Sequence, residues 1–309
     1  MKIRVVNLKR HFGKTKAVDG ISFDFSSGHV FGFVGPNGAG KTTTMRILAT
    51  LDEPTEGDAF LDGVSVVEEP EKARRMIGFV PDTAPTHSDM SVHEYLDFFA
   101  RAYGLKGARR REVVEGVEEF TNLTGLRDKF LKALSRGMKQ RVSLARSLVH
   151  DPPVLVMDEP AAGLDPRARV ELRELLKILA TQEKAVLISS HILTELSEIC
   201  DGVVIIERGK ILRSGTMAEI QAHEAPRHIV RIRPAERLEE LHKELLQMPR
   251  VENARLVGNE VEAEVDGPEA ACGELLTALI QRGYQIAEFK RQQADLEEIF
   301  MKITKGDVQ

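Results

Sequence analysis

The sequence predicts an α/β chain in two parts. The first is a mainly parallel core with an antiparallel β flap and an α-helical subdomain; the second is a small C-terminal α+β domain of ferredoxin-like order. Three observations predict this. Between residues 154 and 207 short apolar runs alternate with helix-period segments, the pattern of strands joined by helical crossovers. A glycine-rich loop lies between one such strand and a helix. After about residue 220 the pattern restarts as β-α-β-β-α-β.

Residues 3–8 and 17–25 read as two flap strands, and 29–34 as a buried strand. The next nine residues are Gly35, Pro36, Asn37, Gly38, Ala39, Gly40, Lys41, Thr42 and Thr43, a complete G-x-x-x-x-G-K-T phosphate loop running into a helical segment. Its glycines let successive N–H groups turn inward around phosphate oxygens, and the helix N-terminus adds partial positive charge. Lys41 is placed to reach the β- and γ-phosphates, and the Thr42 hydroxyl to ligate Mg²⁺. The core is therefore expected to be a P-loop NTPase that binds a nucleoside triphosphate.

Short strands follow at 58–61 and 77–80, and the chain then turns helical from Ser91 to His150. Ser91-Val92-His93-Glu94 is a capping box. Behind it Tyr95, Phe98, Phe99 and Ala102 recur at helical spacing, a stripe that reads as core packing. A charged helix is expected over about 108–123 and a third just after Ser135. Strand 154–157 comes next, then helix 166–180 with Asp165 as N-cap and Pro166 at its first position. Strand 185–189, helix 192–200, strand 203–207 and the segment Ile211-Leu212 complete the first part.

In the second part, strands are expected at 228–233, 251–257, 260–265 and 285–290, and helices at 235–247 and 269–282. A last helix, 296–303, has Asp295 as its cap. No titratable cluster in this half looks catalytic, so an assembly or regulatory role is expected. The predicted division is 1–220, with the helical subdomain at about 83–150, and 221–309.

Composition narrows the function. Hydrophobic content of 42% and charged content of 29% are ordinary for a soluble domain. A net charge of −5 gives no basic footprint for nucleic acid. The 2 cysteines, Cys200 and Cys272, read as buried thiols in a reducing compartment. No apolar run approaches the ~18–20 residues that span a bilayer, and the N-terminus shows no signal-peptide core. The expectation is a cytoplasmic protein that meets a membrane only through a partner.

Val154–Met157 is an apolar strand ending in Asp158 and Glu159. Consecutive side chains on a strand face opposite ways, so the two carboxylates take different work: Asp158 to hold Mg²⁺, Glu159 to orient and deprotonate a water. Leu134-Ser135-Arg136-Gly137-Met138-Lys139-Gln140-Arg141 opens a helix on Ser135, leaving N–H groups and a hydroxyl aimed outward.

With the phosphate loop and the acid pair, this last segment resembles the signature motif of the ATP-binding cassette (ABC) ATPases. The resemblance implies ATP and Mg²⁺ as cofactors and a nucleotide clamped between two cassettes, with Ser135 and Gly137 facing the γ-phosphate held by the other subunit. Gly163-Leu164-Asp165 resembles the D-loop that crosses this interface. His191 resembles the switch histidine that hydrogen-bonds the γ-phosphate, and Phe12 the aromatic that stacks on adenine. Two departures stand out. Asp82 occupies the region where the family has a Gln bridging Mg²⁺ and the transmembrane partner, which makes Asp82 a candidate metal ligand. Arg136 and Met138 replace a Gly and a Gln of the signature.

The resemblance covers residues 1 to about 220. The Asp82 loop, the signature and the tail at Leu296–Phe300 look like the ATPase subunits of ABC-2-type exporters. It implies an ATP-hydrolysing subunit that dimerises head to tail, with itself or a homologous subunit, and drives a separate permease. The permease's coupling helix would dock on residues 82–130. No nucleic-acid partner is expected, and the location implied is the inner face of the cell membrane. The alternatives are a soluble ABC ATPase acting on ribosome or nucleic acid, and a nucleotide switch without turnover; Glu159 speaks against the last.

Overall fold

The computed structural model describes residues 1–83, 89–191, 196, 198–223, 227–268 and 270–292. The chain divides into two compact units, one of residues Met1–Met217 and another beginning at Ala218. The first opens with long antiparallel strands β1 (Lys2–Phe12) and β2 (Thr15–Ser26), then β3 (Val30–Val34) and helix α1 (Lys41–Leu48). Strands β4 (Glu56–Leu61) and β5 (Val64–Ser65), helix α2 (Pro70–Met76) and strand β6 (Ile77–Val80) follow. Three helices come next: α3 (Val92–Ala102), α4 (Gly107–Phe120) and α5 (Arg136–Leu148). The unit closes with β7 (Val154–Met157), α6 (Pro166–Thr181), β8 (Ala185–Ser190), β9 (Gly202–Glu207) and β10 (Lys210–Thr216).

Two sheets organise these elements. The flap sheet has the order β2-β1-β4-β5, with β1 pairing antiparallel to both β2 and β4. The core sheet has the order β10-β9-β3-β8-β7-β6, and β9, β3, β8, β7 and β6 are mutually parallel. Strands of a parallel sheet are buried on both faces, and β7, β8 and β9 are buried at every position. Ile3, Leu8, Ile21, Phe33, Met45 and Ile47 pack between flap, sheet and α1 as one cluster with side chains under 2% exposed. Full burial of each such side chain contributes ~1.5–3 kcal/mol.

The helical subdomain has an apolar cluster of its own, including Val92, Tyr95, Leu96, Ala100, Val114, Leu131 and Val142. The capping box forms: Ser91 N–H donates to Glu94 Oε2 at 2.8 Å, and Glu94 N–H to Ser91 Oγ at 3.2 Å. The aromatic stripe behind it splits. Tyr95 is buried, but Phe98 is 55% exposed and Ala102 is exposed. The inward face runs Val92, Tyr95, Leu96, Ala100, and Phe98 sits off that line.

In the second unit β11 (Arg227–Pro234), β12 (Val251–Val257), β13 (Glu260–Asp266) and β14 (Ile286–Gln292) form one antiparallel sheet of order β12-β13-β11-β14. Helices Leu238–Leu245 and Ala270–Gln281 cover one face, closing a core that includes Val230, Ile232, Leu241, Val261 and Leu279. This is the ferredoxin-like order. The first helix starts three residues later than the pattern suggests, because β11 runs to Pro234 and Arg237 takes a left-handed conformation (φ 62°) before the helix opens. Most of the helix expected at 192–200, residue 269, and all of the final helix 296–303 with Asp295 lie outside the described residues.

Candidate active site

The parallel register aligns the carboxyl ends of four strands on one edge. Val34 pairs with Ser190, Met157 with Ile188, and Val80 with Met157. The residues that follow these ends are the phosphate loop, Asp82, Asp158-Glu159 and His191, so segments over a hundred residues apart in sequence become neighbours. Ligands of open α/β sheets bind at this edge.

The loop closes onto α1. Gly40 caps that helix with φ 105°, and a Cβ there would stand 2.4 Å from the Ala17 carbonyl oxygen. Lys41 is 6% exposed, and its Nζ donates to the Gly35 carbonyl at 2.8 Å and the Pro36 carbonyl at 3.2 Å. The same Nζ lies 3.5 Å from Glu159 Oε1. Glu159 Oε2 in turn lies 2.8 Å from His191 Nδ1. Lysine, glutamate and histidine thus form a continuous chain of polar contacts.

Asp158 is 1% exposed and Ser189 fully buried. The Ser189 hydroxyl donates to Asp158 Oδ1 at 2.6 Å and accepts the Glu159 N–H at 2.8 Å. Glu159 takes a left-handed backbone conformation (φ 47°) just past the end of β7.

A cavity of about 570 Å³ opens over this group. Asn37, Gly38, Gly40, Lys41, Thr42 and Thr43 line it on the loop side, with Thr15 and Ala17 from β2. Asp82, Glu159 and His191 also line it, joined by Arg136 and Ala162. Asp158 lies beneath this surface. Gly35, Pro36 and Ala39 belong to the loop backbone but do not face the cavity. Phe12 does not line it either; it is 49% exposed with the Arg10 guanidinium 4.4 Å from its ring centre.

Ser135, Gly137 and Asp165 stand apart from the cavity. Ser135 Oγ accepts Met138 N–H at 3.3 Å, opening α5, and Asp165 Oδ1 accepts Ala168 N–H at 2.9 Å, opening α6. The two helix starts adjoin: a Cβ on Gly137 would come within 3.5 Å of Ala168 and 3.7 Å of Leu164. Ser135 and Asp165 are both exposed. The Arg136 guanidinium packs directly on Gly163, whose missing Cβ leaves it room.

Sequence reasoning missed two contributors. Arg136 was visible only as an irregular signature residue. Ser189 was visible only as a strand end, although the parallel register places it one step past Ile188, as Asp158 is one step past Met157.

Residues 18–162 match the family described as ABC transporter, and residues 215–304 match the ATP-binding protein DrrA1-3-like C-terminal domain. The chain is 33% identical to a Nod factor export ATP-binding protein I of Ralstonia nicotianae over 98% of this chain and 93% of that protein. The chain belongs to the ABC transporter ATP-binding subunits. The corresponding protein of Cupriavidus metallidurans is 34% identical over 98% of this ABC subunit and 97% of its own length. Among solved structures, an ATP binding subunit of an ABC transporter superposes with a TM-score of 0.67 at 28% identity, covering 80% of this chain and all of its own. The cbiO1 protein of Clostridium perfringens, part of the ABC transporter complex cbiONQ, gives a TM-score of 0.64 at 27% identity, covering 80% and 96%. As an ABC ATPase, the protein binds and hydrolyses ATP.

Proposed function

We propose that this protein energises an exporter, closing head to tail on ATP with a second copy or a homologous ABC subunit and driving separate permease subunits. The observation that carries the hydrolytic part is Glu159 held between Lys41 and His191 on the cavity wall. In this reading the loop 35–43 cradles the phosphates and Lys41 neutralises them. Glu159 takes the proton of the attacking water, and His191 contacts the γ-phosphate. Phe12, half-exposed at the end of β1 and outside the cavity lining, is the aromatic this reading gives to the adenine.

The oxygen donors suit Mg²⁺. It is held through one or two carboxylates plus phosphates and waters, and Thr42, Asp158 and Asp82 supply hydroxyl and carboxylate oxygens without a nitrogen or sulfur ligand among them. When bound, Mg²⁺ offsets the negative charge on the β- and γ-oxygens.

Dimerisation is supported by the exposed helix starts at Ser135–Gly137 and Asp165, which adjoin one another outside the chain's own cavity. They are free to meet a nucleotide held by another subunit. Permease docking is supported by a groove of about 220 Å³ lined by Leu51, Arg74, Phe79, Phe99, Tyr103 and His150, of which Phe99 and Tyr103 fall within the expected 82–130. Among the described residues no helix is long and apolar enough to cross a membrane, which fits peripheral attachment at the cytoplasmic face through that permease. Export as the direction is supported by the relatives' name. The division at about residue 220 belongs to the same proposal, with the region beyond as an accessory domain for assembly or regulation.

The test is Glu159→Gln. Lost turnover with an ATP-trapped dimer is expected, and unchanged turnover would remove Glu159 from the chemistry. Co-purification of a membrane protein is expected from native membranes. ATP turnover stimulated by RNA or ribosomes instead would overturn the transporter reading.

A further inference from the structure

We propose that Ser189 is a positioning residue for ATP hydrolysis, one hydroxyl that sets the geometry of both Asp158 and Glu159. A serine hydroxyl has one proton to give and lone pairs to receive. Here the proton goes to Asp158 Oδ1 and a lone pair takes the Glu159 N–H, in a fully buried setting that excludes water as a substitute.

The second bond does more than satisfy a donor. Glu159 is a non-glycine residue in the left-handed region, a conformation that persists only where its surroundings hold it. Ser189 holds its N–H, and the Ala162 N–H donates to its carbonyl at 3.1 Å. With the backbone pinned on both sides, the Glu159 carboxylate is delivered to Lys41 and His191. The first bond fixes the rotation of Asp158, the buried carboxylate assigned to the cation. Ser189 therefore ties the Asp158 carboxylate and the Glu159 backbone to one oxygen.

This inference rests on the reading of Glu159 as general base, and the experiment separates the two. Ser189→Ala and Ser189→Thr are made in the full chain, alone and with Glu159→Gln. Ser189→Ala is expected to lower kcat by about 10- to 100-fold, as loss of an outer-shell partner does. Binding supplies a second readout. ATP affinity in Mg²⁺ should fall, while affinity measured in EDTA stays as in the wild type. A role confined to general stability would move both affinities together. Ser189→Thr, which keeps the hydroxyl, should recover most of the turnover.

In the Glu159→Gln background, Ser189→Ala should still lower the Mg²⁺-dependent gain in ATP affinity, because that effect runs through Asp158. An unchanged gain in that background would overturn the proposal. So would Ser189→Ala with kcat and the Mg²⁺-dependent gain in affinity both within about twofold of wild type. Glu159→Gln alone retaining full turnover would instead refute the base reading.

Discussion

Replacing Gly40 by alanine isolates how the phosphate loop is built. Two penalties act there. With φ at 105° the residue occupies backbone space that L side chains avoid, worth ~1–2 kcal/mol. The added Cβ would also sit 2.4 Å from the Ala17 carbonyl oxygen, a backbone atom of β2 that has no rotamer to yield. Relieving that overlap needs a shift of roughly 1 Å, and overpacking of this kind costs ~1–3 kcal/mol. The sum, about 2–5 kcal/mol, is a large part of a typical domain's stability of ~5–15 kcal/mol.

Gly38 serves as the control. Its φ is 79°, but a Cβ there meets nothing within 4 Å, so Gly38→Ala carries only the conformational ~1–2 kcal/mol. Hydrogen exchange in increasing urea reads residues 1–217 separately from the second unit, and both variants are measured beside an ATP titration. Gly40→Ala should be the less stable by ~1–3 kcal/mol, and a ~1 Å displacement of the N-terminus of α1 should reduce turnover by about 10²-fold. Equal losses of stability in the two variants would refute the steric argument.

Burial holds the His150 imidazole below its ordinary value of 6.5, against the opposing hydrogen bond to Ile77 and the charge of Asp151. A depressed histidine lends stability that is present above its unfolded value and lost as pH falls through the folded one. The urea midpoint should therefore drop from about pH 6.5 downward, and His150→Gln should flatten that slope; an identical pH profile in the variant would refute it. Burial first, and Asp201 second, push the Cys200 thiol well above its ordinary 9.0. Cys272 is buried as well, so Ellman's reagent should label neither thiol before unfolding; rapid labelling of Cys200 in the native chain would contradict its burial.

Much of the first unit was legible because its motifs carry their own local structure. The loop at 35–43 sits between the strand and helix it needs, and Asp165-Pro166 and Ser91-Glu94 announce helix starts that form with the expected hydrogen bonds. What escaped was set by tertiary contact. Strand β5 is only Val64–Ser65, too short for any period, and α2 was unread despite Pro70 at its first turn. Phe98 looked like core because its spacing fits a helix, yet a stripe cannot say how wide the covering partner is. The bond from Ser189 to Asp158 joins residues 31 apart on neighbouring parallel strands, and only the register reveals it. Arg136 was noticed as a departure, but nothing local tells that its guanidinium reaches Gly163 and the cavity wall.

The helical subdomain keeps an apolar cluster distinct from the one beneath the flap. Ser135 is carried by the first of these bodies, Lys41 and Glu159 by the second. Substitutions inside the helical cluster can thus tilt or loosen the signature while leaving the reacting groups in register. On the proposed role of Ser135, selection could retune how tightly one subunit grips its neighbour's nucleotide without rewriting the chemistry.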